Sequence, residues 1–196
     1  MIRSSRAQSE NETLELLSLQ ISIVYDAIRS LVYSRVLQNI VEEGEKFWIS
    51  TKSAHLQSFI TSWAKCFGSS RESTHWKKSI LVNSEFRRKL RLHVDLNAIR
   101  FEKYTKSMLS VRNQVLSHTD ASVRITQIPN MDVALKSLLY LHGALKDECN
   151  KLEGIPEPIL YKGPLCMDKW IENLSKEANE LICTAHSATK GIAEHQ

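Results

Sequence analysis

No proline occurs before Pro129, and only Gly44, Gly68 and Gly143 interrupt the first 150 residues. Proline breaks a helix by removing a donor and crowding the preceding turn, and glycine weakens one through backbone entropy. A stretch this long with so few breakers can be helical almost throughout, and no segment sustains a period-two alternation bounded by turns. The expected class is therefore all-α, an antiparallel helical bundle of five to six helices. With 196 residues, 42% of them hydrophobic, the chain can bury one sizeable core, so a single domain over 1–196 is expected.

Apolar periodicity divides that domain. Leu14, Leu17, Ile21, Val24, Ile28 and Leu31 predict a first helix that starts near Glu10 to Thr13, capped by Asn11 or Thr13, and ends near Val41. Leu56, Phe59, Ile60, Trp63 and Phe67 predict a second from Lys46 to Cys66, stopped by Gly68. The polar segment 67–78 follows, in which Ser73 or Thr74 can cap a short turn containing Trp76. A short helix over 85–94 turns Phe86 and Leu90 inward and Arg87, Arg88, Lys89 and Arg91 largely outward. The seam Phe101, Tyr104, Met108, Val111, Val115 predicts a helix from Leu96 to Ser117. An extended connection closes with Pro129 and a capping Asn130. It leads into a helix from Met131 to Lys151, on whose apolar face His142 reads as a satisfied core histidine. The core spans about 10–152. A proline-rich loop, 153–166, precedes a C-terminal helix over 167–189 with Trp170, Leu174, Ala178, Leu181 and Ala185 facing in.

Several chemistries have no support in this pattern. There is no glycine-rich phosphate loop, no GxSxG elbow and no CxxC, and Cys66, Cys149, Cys166 and Cys183 lie far apart, so no metal or cofactor is expected. Free thiols in a reducing compartment, no uncharged apolar run of membrane length and no apolar leader make a cytoplasmic protein without a membrane the expectation.

Charge is unevenly placed. Residues 71–124 hold 12 Lys/Arg against 5 Asp/Glu, while the rest of the chain holds 14 against 17. Such a concentration suits a polyanion such as RNA, with Lys77, Lys78, Arg87, Arg88 and His75 as candidate contacts; a solvated face with no partner fits the charge equally well. His75 can face solvent, touch RNA or hydrogen-bond within its loop.

The basic region surrounds SVRNQVLSHTD, residues 110–120. Arg112 offers a fork of donors matched to phosphate, and His118 exchanges protons near neutral pH. Along a helix the two side chains would stand about 120° and roughly 9 Å apart, so the pair is easier to complete from a second surface. His118 also extends the Val111, Val115 seam, which would equally suit a core or capping histidine.

An Arg followed by a polar residue and, six positions on, a His near a helix end resembles the RxxxxxH signature of the HEPN superfamily, carried here by Arg112, Asn113 and His118. The segments SWAKCFGSSRESTHWKK (Ser62 to Lys78), FRRKL, YTKSMLSVRNQVLSHTD and Ile128-Pro129 are similar to its abortive-infection, AbiU-like branch, over about residues 15–150. That resemblance implies a homodimer with facing motif helices and a metal-independent endoribonuclease of phage defence or a toxin–antitoxin system, often beside a nucleotidyltransferase-type antitoxin. Arg112 would neutralise the scissile phosphate, His118 would serve as base or acid, and Asn113 would position one of them. The alternative is a non-catalytic helical module that binds and regulates a partner protein; RNA or DNA binding without cleavage is a third reading.

Overall fold

A computed structural model of the chain describes residues 2–117, 128–152, 164 and 166–193, with side chains over 11–114, 128–152, 164 and 166–190. Among these residues every regular element is helical. In order they are α1 (Ile2–Ile40), α2 (Lys46–Phe67), a single 3₁₀ turn (Trp76–Lys78), α3 (Asn83–His93), α4 (Ala98–Ser117), α5 (Met131–Asn150) and α6 (Met167–Ala193). The expected all-α class is what the chain adopts.

The chain divides into two compact units, one comprising residues 1–26 and 60–163, the other 27–59 and 164–196. In the first, Leu17, Ile21 and Val24 of α1 are buried, as are Trp63 and Phe67 of α2. Phe86 and Leu90 of α3, Met108 and Val111 of α4, and Leu138, Leu141 and Leu145 of α5 complete this core. The Trp63 indole stacks on Phe67 and donates to Ser137 Oγ at 2.8 Å, and the Ser137 hydroxyl in turn donates to the Ala134 carbonyl. A buried indole N–H thereby keeps a partner. His142 is a satisfied core histidine, its Nε2 3.1 Å from the Tyr25 hydroxyl, and burial lowers its pKa. Gly68 ends α2 where a Cβ would overlap the Ala64 carbonyl oxygen and crowd Leu109 of α4 at 3.1 Å. Asp95, at a φ of 54°, turns the chain out of α3, and Leu96 N–H returns to the Arg91 carbonyl at 3.0 Å.

In the second unit, Ile28, Leu31 and Leu37 are buried from α1, Phe59 from α2, and Leu174 and Ala178 from α6. His186 of α6 meets both carboxylate oxygens of Glu45, at 2.8 and 2.9 Å, and lies edge-on to Trp48. Trp48 in turn donates to Thr189.

Three expectations are corrected. α1 begins at Ile2, so Asn11 and Thr13 are interior residues rather than caps; the run 2–13 contains no breaker, and a Ser- and Asn-bearing segment need not start a helix when nothing stops it. The cap of the short turn is His75, not Ser73 or Thr74: Thr74 spends its hydroxyl on the Lys65 carbonyl. In α6 the inward row continues in steps of four through Leu174, Ala178, Ile182 and His186, which leaves Leu181 68% exposed and Ala185 exposed as well. Among the described residues Asn11–Ile40 is by length and composition apolar enough to cross a membrane; as expected it is not an uncharged run, since it carries Glu12, Glu15, Asp26, Arg29 and Arg35, and Leu17, Ile21, Val24, Ile28, Leu31 and Leu37 of its apolar row are buried.

Candidate functional site

The candidate residues fall at two places in the first unit. The first is the last two turns of α4. Met108 and Val111 are buried, and Arg112 sits half-buried on the neighbouring row. A guanidinium cannot be buried unpaired. Its Nε and Nη2 donate to Asn113 Oδ1 at 3.1 and 2.9 Å, so the side-chain amide of the next residue holds the fork in place. α4 ends at Ser117, and His118 lies outside the described residues, as do 119–127. The structure thus brings Arg112 and Asn113 together.

The second place is the polar segment 68–80. Its conformation is tied down from α1: Gln20, without solvent exposure, donates its amide to the carbonyls of Thr74 and His75 at 3.1 and 3.2 Å. His75 is only 3% exposed, and of its three expected roles the hydrogen bond within the loop is present, Nδ1 accepting the Lys77 amide at 3.1 Å. Burial, with Lys77, Arg87 and Lys78 nearby, pushes the imidazole down to about 4. The ring is therefore neutral at pH 7, and because Nδ1 accepts, the proton is assigned to Nε2.

Trp76, 5% exposed, forms the centre of this region. Its indole lies 4.5 Å from the Phe86 ring, while the Lys77 ammonium and Arg87 guanidinium stand 5.8 and 5.6 Å from its centroid. Both cations are attracted by the ring's quadrupole and both remain exposed to solvent. Lys78 and Arg88 are exposed too. Among the described residues none of Lys77, Lys78, Arg87, Arg88 and Arg91 forms an ion pair, whereas Lys89 is engaged by Glu85 and Lys106 by Glu102.

Two residues here escaped the sequence reading. Gln20 carried a signal: a long amide three positions after Leu17, beside Ile21 on the apolar row of α1, requires buried partners. Arg91 read as one more outward cation, but it is half-buried. No group of three or more His, Cys, Asp or Glu among the described residues is arranged to hold a metal ion. Comparison with protein-family models, with curated protein sequences and with solved structures yields no match.

Proposed function

We propose that the protein is a HEPN-type endoribonuclease that cleaves RNA without a metal, as a cytoplasmic homodimer in phage defence or a toxin–antitoxin system with a nucleotidyltransferase-type antitoxin as possible partner. The observation that carries this reading is Arg112 on the edge of the α4 core row, its fork steadied by Asn113, in an RxxxxxH motif that His118 completes in the sequence. In-line attack of a 2′-oxygen on the adjacent phosphorus breaks the P–O5′ bond. It requires a base for the 2′-hydroxyl, an acid for the leaving 5′-oxygen and positive charge on the phosphorane. His118 from each copy supplies the base and the acid, Arg112 supplies the charge, and the product carries a 2′,3′-cyclic phosphate.

The test is purified protein incubated with an RNA pool in EDTA. Cyclic-phosphate ends that disappear in Arg112→Ala and His118→Ala support the reading; a folded dimer that cuts no RNA sinks it. The competing module that binds a partner protein draws support from the exposure of Leu81, Leu92 and Ile99, at 81, 69 and 80%. It predicts a stable partner in pull-downs and normal growth on overproduction.

A further inference from the structure

The end of α2, the 3₁₀ turn, α3 and the start of α4 enclose a half-open cavity of about 320 Å³, at the small end of the roughly 300–1,000 Å³ typical of ligand sites. Its apolar lining includes Phe67, Leu90 and Phe101. The lining also includes Lys77, Arg87 and Arg91, three cations that form no ion pair among the described residues; the one acid in it, Glu102, is already bound to Lys106 at 2.7 Å. Two N–H groups complete the lining. His75 and Trp76 line the cavity, and among the described residues neither His75 Nε2 nor Trp76 Nε1 has an acceptor, although both atoms keep some access to solvent. Cations without an ion pair and two available N–H donors, lining the same cavity as three apolar side chains, suit an anion attached to a flat or apolar body.

We propose that this cavity binds one nucleotide unit, with its phosphate on Lys77, Arg87, Arg91 and the His75 Nε2–H, and its base against Phe67, Leu90 and Phe101. Such a unit can come from a free nucleoside monophosphate or from an RNA strand. Helix geometry favours the strand: Ala98 and Thr105 line the cavity, and Arg112 follows at the same spacing of seven, which puts it on nearly the same face about 10 Å further along α4. The strand source rests on the endoribonuclease reading; the affinity for a free nucleotide does not.

Isothermal titration of the full chain with AMP, adenosine, inorganic phosphate and a 2′-O-methyl RNA decamer, which cannot be cleaved, tests the site. AMP should bind at least tenfold tighter than adenosine or phosphate, and Arg87→Gln/Arg91→Gln should weaken it at least tenfold with an unchanged melting temperature. A decamer that binds more tightly than AMP and is displaced by it identifies the strand as the source; a decamer no tighter identifies the free nucleotide. No AMP binding by folded protein, AMP no tighter than phosphate, or binding unaffected by the double variant overturns the proposal. If wild type binds AMP but cuts no RNA, the nuclease reading fails while the site stands. If it cuts RNA but binds no AMP, the reverse holds.

Discussion

The main-chain carbonyl of His75 is held 3.2 Å from the side-chain nitrogen of Gln20, which also reaches the Thr74 carbonyl from a fully buried position on α1. One amide thus fixes two successive peptides of the loop that carries His75, Trp76 and Lys77. This anchor acts beside the loop's own side-chain bonds, Thr74 to the Lys65 carbonyl and His75 Nδ1 to the Lys77 amide.

Gln20→Ala strands two carbonyls in the interior, so stability should fall by about 1–3 kcal/mol. Hydrogen exchange should show faster opening of residues 72–78 than in wild type. Unchanged exchange there would show that the Gln20 bonds do not hold the loop.

Removing the Ser137 hydroxyl leaves the Trp63 indole N–H without its acceptor in the core. Ser137→Ala should lower the unfolding free energy by about 1–3 kcal/mol in a urea titration, with the slope of the transition unchanged.

The two rows of α6 make opposite predictions. Leu174 is 7% exposed and Leu181 68%. Leu174→Ala should cost about 2–5 kcal/mol, whereas Leu181→Ala should stay within about 0.5 kcal/mol. Equal losses in thermal melts would return Leu181 to the buried row.

The folded state depresses His75 from 6.5 to about 4, chiefly by burial. Between those values the unfolded chain binds a proton that the folded chain does not, so stability rises with pH across this window and is lost as pH falls through it. His55 and His142, also depressed by burial, act in the same direction. His75→Asn keeps an acceptor at the cap position without the titration. Denaturant unfolding at pH 7, 5.5 and 4.5 should show a shallower decline in the variant than in wild type.

For the α4 motif, Arg112→Ala and His118→Ala should each reduce RNA cleavage by about 10²-fold or more, with melting temperatures close to wild type because Arg112 lies at the edge of the core. Asn113→Ala should reduce it less, since it leaves the guanidinium in place but removes its acceptor. A collapse of stability in His118→Ala would mark that residue as structural.

Local sequence determined the helices. Missing breakers and three-and-four spacing placed α2, α4 and α5 to within a few residues and identified His142 as a core histidine, because helix formation and amphipathicity are read over one or two turns. The RNQVLSH spacing was legible for the same reason, and so was the basic excess around it. Tertiary structure decided which of two adjacent rows on α6 is buried, since rows one residue apart differ only in what they meet. It also decided what a buried Gln20 is for, and that His75, Trp76, Arg87 and Arg91, spread over α3 and the loop before it, line one cavity. Those outcomes depend on contacts between residues as many as 141 positions apart, and no local period encodes them.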